Sequence, residues 1–143
     1  MQSKIIAVDF DGTLCENKWP DIGEPNTELI IYLKNQQNLG AKLILWTCRA
    51  EDRLERAVAW CIEQGLIFDG VNENLPEIIE LFGSDTRKIY ADEYIDDKMF
   101  GFFDLPYKSS TNFLRKQFHF DVEHSPGIMR RLSRSQKLED KTK

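Results

Sequence analysis

The feature that most constrains the fold is a short apolar segment, residues 4–8, that leads into two aspartates one residue apart. Asp9 and Asp11 come directly after this run, and a Gly-Thr pair follows them. An uninterrupted apolar run of this length is typical of a strand buried on both faces, as in a parallel sheet. Carboxylates held close together resist joint ionisation, and a bound cation relieves that repulsion. Mg²⁺ prefers carboxylate oxygens, so the segment favours a magnesium site at the end of a buried strand.

The rest of the chain alternates apolar strands with helical patterns as far as about residue 100. We expect further strands at 42–47, at 66–68 and within 88–96, and helices over about 27–39, 51–64 and 76–82. Residues 13–25 contain Gly23 and two prolines, and they predict a loop or a small flap. This alternation predicts an α/β fold, with a doubly wound parallel sheet between two layers of helices and right-handed crossovers.

Polar side chains follow three of the predicted strands at the point where each strand ends. Asp9 and Asp11 follow the first strand, Thr47 ends the second, and Asp96 and Asp97 end the last. Ligands of open parallel sheets bind at the carboxyl ends of the strands. The sequence therefore predicts that these five residues meet at one edge of the sheet.

Composition places the chain among ordinary globular domains, since 41% of its residues are hydrophobic and 30% are charged. No apolar run approaches the ~20 residues of a membrane span, and the N-terminus lacks the pattern of a secretory signal. The three cysteines lack CxxC spacing, which disfavours a zinc site or a disulfide framework. We therefore expect a cytoplasmic protein that does not associate with a membrane.

Charge divides the chain into two parts. Residues 1–107 hold 10 basic and 20 acidic side chains, a net charge of −10, whereas residues 108–143 hold 9 and 4, a net charge of +5. We expect a catalytic core over 1–107 and a basic, partly disordered C-terminal extension over 108–143. The acidic core argues against general nucleic-acid binding, while the extension leaves contact with an anionic partner open.

Four motifs, in this order, resemble the haloacid dehalogenase (HAD) superfamily of phosphohydrolases and phosphotransferases. The first is Asp-x-Asp-x-Thr after a strand, found here at Asp9–Thr13. The second is a Thr that ends an apolar strand, Thr47, and the third is a Lys, for which Lys88 is the best candidate. The fourth is a pair of acids at a strand end, Asp96 and Asp97. The resemblance covers about residues 4–100 and implies a Rossmann-like HAD core.

The resemblance assigns chemical roles to the acidic residues. Asp9 is expected to attack phosphorus and form an aspartyl-phosphate, and Asp11 to act as general acid and then as general base. The resemblance also implies Mg²⁺ bound by Asp9, the backbone carbonyl of Asp11 and Asp96, with waters completing the shell. Asp97 is expected to support this shell, through a water or by orienting it.

The remaining candidates bind phosphate or support the loop. Thr47 and Lys88 are expected to balance charge on the phosphoryl group, with Arg87 as the alternative cation beside Lys88. Gly12 is expected to let the backbone approach the phosphate, and Thr13 to fix the loop or Asp11 by a hydrogen bond. Two further candidates each have two interpretations. Arg49 either clamps a substrate anion or pairs with Glu51 or Asp52. Trp19 either packs in the flap or stacks on a base or sugar.

The intervals between motifs are too short for the large cap domain that many members of this superfamily carry. We therefore expect a capless enzyme with an open site that acts on a phosphorylated substrate, with a homo-oligomer or a partner chain as a possible lid. The expected function is Mg²⁺-dependent phosphohydrolysis. A phosphotransferase of the same chemistry and a low-turnover regulatory module that binds phosphate or Mg²⁺ are the alternatives.

Overall fold

A computed structural model describes residues 2–102 of the 143-residue chain. The predicted extension, 108–143, and the last part of the predicted core, 103–107, lie outside the described residues. The described part contains six strands and three helices in an order that alternates after the first hairpin. They are β1 (Ile5–Val8), β2 (Cys15–Lys18), β3 (Asp21–Pro25), α1 (Thr27–Asn38), β4 (Lys42–Leu45), α2 (Glu51–Glu63), β5 (Gly70–Val71), α3 (Pro76–Phe82) and β6 (Glu93–Ile95).

Four strands form one sheet in the order β5-β4-β1-β6. Every neighbouring pair in this sheet is parallel, and β1 lies between β4 and β6. The remaining strands, β2 and β3, pair antiparallel with each other. The expected α/β class with a parallel sheet is confirmed, and the arrangement is compatible with a Rossmann-like fold.

Alternate residues of β1 belong to two different hydrophobic clusters, because successive side chains of a strand point to opposite faces. Ile6 and Val8 pack with buried residues of α1 and α2, whereas Ile5 and Ala7 pack with Ile78 of α3. All four residues of β1 are buried. The central strand is therefore covered on both faces, and its end can carry the site.

The ends of the first two helices follow the sequence signals. The side chain of Asn26 accepts a hydrogen bond from the Leu29 N–H and caps α1. Gly40 follows α1 and Gly65 follows α2, both with positive φ. In each case the two residues after the helix cap donate backbone hydrogen bonds to the last turn, which is a Schellman motif. None of the helices described within residues 2–102 is long and apolar enough to cross a membrane.

Three predicted elements differ from the structure. The third strand, expected at 66–68, is β5 at Gly70–Val71, because the Leu66 N–H still bonds to the last turn of α2 and Ile67 is 69% exposed. The last strand is shorter than expected and comprises Glu93–Ile95. The predicted loop or flap at 13–25 is the β2–β3 hairpin.

Candidate active site

The carboxyl ends of three neighbouring strands meet at one edge of the sheet. Asp9 follows β1, and its backbone N–H donates to the Ile95 carbonyl of β6. On the other side of β1, the Trp46 N–H donates to the Val8 carbonyl and continues the pairing with β4 to the edge. The structure therefore brings together the strand ends that carry Asp9, Thr47 and Asp96.

Three carboxylates form a cluster at this edge. Asp9, Asp96 and Asp97 each present an oxygen atom, and these oxygens lie within 4.8 Å of one another. All three side chains are partly buried. The carboxylate of Asp97 therefore lies beside those of Asp9 and Asp96, and its expected support of a metal shell stays a prediction.

The cluster is electrostatically unfavourable when all three acids are ionised. Burial, followed by the charge of Asp96, raises the pKa of Asp9 to about 8. Burial and a hydrogen bond with Asp96 raise the pKa of Asp97 to about 6. A divalent cation would remove this penalty, and the donor set consists of the carboxylate oxygens that Mg²⁺ prefers. The residues present therefore fit such an ion.

Thr13 links the two strand ends that carry the cluster. Its hydroxyl group donates to Asp9 Oδ2 at 2.9 Å and accepts from the Asp97 N–H at 2.9 Å. The side chain is fully buried, so both hydrogen bonds are shielded from water. We expected Thr13 to hold the loop or Asp11, and the structure shows that it holds Asp9 and Asp97.

The loop after β1 is a tight turn that carries Asp11. Gly12 has φ +82°, a conformation that a side chain disfavours, and its N–H donates to the Cys15 carbonyl at 2.9 Å. The Thr13 carbonyl accepts from the side chain of Asn26, which also caps α1. One buried amide therefore fixes both the turn and the start of the next helix.

Arg49 pairs with Asp11, a partner that the sequence did not indicate. Its Nε donates to Asp11 Oδ2 at 2.8 Å and its Nη2 to Asp11 Oδ1 at 2.7 Å. None of the Arg49 side chain is exposed, whereas 19% of the Asp11 side chain is. This corrects the expectation that Arg49 pairs with Glu51 or Asp52, because its partner is Asp11. Contact of Arg49 with a substrate anion stays a prediction.

Thr47 is oriented by two neighbours. Its hydroxyl oxygen accepts from the Arg49 N–H at 3.1 Å, and its own N–H donates to Asn72 Oδ1 at 2.8 Å. Because the oxygen acts as the acceptor in this contact, the hydroxyl proton is available to donate to an anion. Asn72 follows β5 with φ +53°, which asparagine tolerates better than most residues. The sequence analysis missed Asn72 as a site residue because it predicted the third strand at 66–68 rather than at 70–71.

Lys88 lies near the side chain of Tyr94 in β6. Its ammonium nitrogen is 5.8 Å from the centroid of the Tyr94 ring, and Tyr94 packs against Trp46. Within residues 2–102 no hydrogen bond or ion pair joins Lys88 or Arg87 to the clustered carboxylates. The structure therefore does not bring a motif cation into the cluster, and Lys88 stays a prediction.

A cavity of about 310 Å³ opens beside the exposed edge of Asp11. It is lined by Asp11, Asn17, Trp19, Cys48 and Arg49. Trp19 and Asn17 belong to the β2–β3 hairpin and its turn, so the predicted flap forms one wall of the site. Trp19 is about half exposed and also contacts Arg49 and Arg53.

Fold and site together define an α/β protein with an acidic centre at the carboxyl edge of a parallel sheet. No protein-family model and no curated protein matches the chain. A solved structure of a conserved protein from Bacteroides thetaiotaomicron is 34% identical in sequence, with a TM-score of 0.63 over 87% of this chain and 94% of that chain. The chain belongs to the family of that conserved protein.

Proposed function

We propose that the chain is a Mg²⁺-dependent phosphohydrolase with a three-layer, doubly wound HAD core, and that it cleaves a phosphomonoester through an aspartyl-phosphate on Asp9. The observation that carries the proposal is the cluster of Asp9, Asp96 and Asp97, with Asp11 held on the same loop two residues after Asp9. A nucleophile and a proton carrier on one rigid turn are what two-step phosphoryl transfer requires.

Asp9 is the proposed nucleophile. One of its carboxylate oxygens attacks phosphorus while the bond from phosphorus to the leaving oxygen breaks, and the electron pair of that bond goes to the leaving oxygen. The hydrogen bond from Thr13 to Asp9 Oδ2 fixes the carboxylate in the loop. Holding the nucleophile in this way lowers the entropic cost of reaching the transition state.

Asp11 is the proposed proton carrier. Its carboxyl group gives a proton to the leaving oxygen in the first step. In the second step the resulting carboxylate takes a proton from the water that attacks the aspartyl-phosphate, which restores Asp9 and Asp11. Such proton transfer typically contributes about 10²–10⁴-fold to the rate.

The proposed metal ligands are the carboxylates of Asp9, Asp96 and Asp97 with the backbone carbonyl of Asp11. When bound, Mg²⁺ supplies positive charge that offsets the phosphoryl oxygens and the clustered acids. Thr47 donates its hydroxyl proton to a phosphoryl oxygen, and Gly12 allows the turn to lie close to the phosphate. Lys88 is the proposed cation, with Arg87 as the alternative.

An open site follows from what lies between the motifs. Between Asp11 and Thr47 the structure contains the β2–β3 hairpin, α1 and β4, and between Thr47 and Lys88 it contains α2, β5 and α3. Neither interval holds a cap domain. This supports a substrate whose phosphate end enters while the rest stays outside, or a second chain that completes the site.

The proposal is tested by phosphate release from an aryl phosphate and a panel of phosphorylated metabolites, with Mg²⁺ and with EDTA. We expect release that needs Mg²⁺ and disappears in Asp9→Asn, with circular dichroism confirming the fold of the variant. Full activity in Asp9→Asn would contradict the mechanism. Adding alcohols as acceptors separates the transferase alternative, because a transferase would form a new phosphoester.

A further inference from the structure

Arg49 is a fully buried charged residue whose guanidinium group is held by hydrogen bonds and by two aromatic rings. Besides its two bonds to Asp11, its Nη1 donates to the Pro20 carbonyl at 3.2 Å and its Nη2 to the Asp21 carbonyl at 2.8 Å. Its guanidinium carbon lies 4.9 Å from the centroid of the Phe10 ring and 5.1 Å from that of Trp19. A buried charge is costly unless it is paired and hydrogen-bonded, and here the pairing is nearly complete.

This arrangement fixes the carboxylate of Asp11. Both carboxylate oxygens are engaged by the same guanidinium, which sets the plane of the carboxylate as well as its position. The backbone of Arg49 is in turn bonded to Thr47, and its side chain to the turn of the β2–β3 hairpin. The edge of Asp11 that remains exposed borders the cavity lined by Asn17, Trp19 and Cys48.

From this geometry we infer that Arg49 is the positioning residue for Asp11, and that the cavity beside Asp11 receives the leaving group of the substrate. The inference rests on the proposed function and assigns Arg49 to the proton-transfer half of the reaction rather than to phosphate binding. In the structure Asp11 is the carboxylate partner of Arg49, so it first takes the proton that the substrate brings as a phosphate monoanion, at a lone pair that Arg49 leaves free. As the bond from phosphorus to the leaving oxygen breaks, that oxygen takes this proton from Asp11. This requires the carboxyl group to face the leaving oxygen, and Arg49 sets that direction.

Lysine cannot replace arginine here. A lysine ammonium group is a compact charge that cannot bridge both Asp11 oxygens in one plane, nor stack flat against Phe10 and Trp19. Arg49→Lys therefore keeps the charge and loses the orientation. Arg49→Met removes the charge and keeps an unbranched side chain in the space between the rings.

The test uses the full chain and compares two leaving groups. Departure of p-nitrophenolate needs little protonation, whereas an alkyl alkoxide departs only with a proton. Because hydrolysis of the aspartyl-phosphate is common to both substrates, the comparison uses kcat/KM, which covers only the steps up to departure of the leaving group. In Arg49→Lys and Arg49→Met we expect kcat/KM for an alkyl phosphate to fall by about 10²-fold and kcat/KM for p-nitrophenyl phosphate by less than about tenfold, as for loss of a general acid. Arg53→Met is the matched control, because Arg53 is exposed and also contacts Trp19. It should leave both values unchanged.

A double-mutant cycle separates positioning from a general structural role. Asp11→Asn alone should show the same preference for the good leaving group. The double variant, which adds Arg49→Met, should lose little further activity, because the two residues act as one unit. Equal losses of kcat/KM on both substrates, or additive losses in the cycle, would overturn the inference while leaving the proposed function in place. Absence of wild-type turnover on every substrate would overturn both.

Discussion

At the residue scale, the raised pKa of Asp9 makes the stability of the metal-free protein depend on pH. Its pKa is about 8 in the fold, against an ordinary value of 3.8, so between these pH values the folded protein binds more protons than the unfolded chain. Stability therefore falls as pH rises from about 4 to about 8. Urea unfolding in EDTA measures this slope. Asp9→Asn should flatten it, whereas the exposed acid Glu80, changed to Gln, should not.

The raised pKa of Asp9 also predicts that a proton is released when metal binds. Mg²⁺ needs ionised ligands, so its binding displaces the proton that Asp9 retains below pH 8. We expect the affinity for Mg²⁺ to rise between pH 6 and 8. Calorimetry in two buffers of different ionisation enthalpy counts the released protons. An affinity independent of pH over this range would contradict the assignment of Asp9 as a ligand.

Thr13 gives a second prediction at this scale. Thr13→Val keeps the shape of the side chain but leaves the buried Asp97 N–H without its acceptor, which costs about 1–3 kcal/mol of stability. Phosphatase activity should fall with it, because Asp9 also loses its hydrogen bond. Thr13→Ser keeps the hydroxyl group and is the matched control. Similar activity in Val and Ser variants would show that the hydroxyl group does not position Asp9.

At the element scale, the β2–β3 hairpin depends on Gly23. A methyl group there would overlap the Glu16 carbonyl oxygen and lie 2.8 Å from Glu16 Cβ, so the two strands would have to separate. Overpacking of this kind costs about 1–3 kcal/mol. Because the turn of this hairpin holds Arg49, Gly23→Ala should lower kcat as well as the melting temperature.

Gly40→Ala is the control for the hairpin variant. Gly40 has φ +95° and open space around it, so alanine there is strained without a clash. It should lower the melting temperature through α1 and leave kcat unchanged. Loss of kcat in both variants would show that general destabilisation, rather than the hairpin, governs activity.

The sequence predicted the elements whose ends are set by neighbouring residues. The expected bounds of α1, about 27–39, agree with the structure, where Asn26 caps the helix and Gly40 follows it, since capping depends on a few neighbouring residues. The third strand was misplaced because Leu66 is buried as the chain leaves α2, and an apolar residue there resembles a strand residue.

The contacts at the candidate site also divide into those that the sequence predicts and those that it does not. The convergence of Asp9, Thr47 and Asp96 was predictable, because the carboxyl ends of parallel strands share an edge. The pairing of Arg49 with Asp11 was not, because it joins residues 38 positions apart through a hairpin whose path the sequence did not define. Neither periodicity nor motif spacing reports such a contact.

At the scale of the whole molecule, the candidate site lies between residues 9 and 97, inside the acidic part of the chain. A variant that lacks residues 108–143 should therefore retain kcat/KM for a small aryl phosphate. Steady-state kinetics of the full chain and the shortened chain check this. Loss of hydrolysis on shortening would show that the basic extension contributes to the site, and loss of partner binding alone would favour the regulatory alternative.

In the proposed reaction Asp9 carries the phosphoryl group during turnover. Acid quenching during turnover of a phosphomonoester, followed by peptide mass spectrometry, detects such an intermediate. We expect an alkali-labile phosphate on the peptide that contains Asp9, formed with Mg²⁺ and absent from Asp9→Asn. Continued hydrolysis without a phosphorylated Asp9 in the quenched protein would contradict the account.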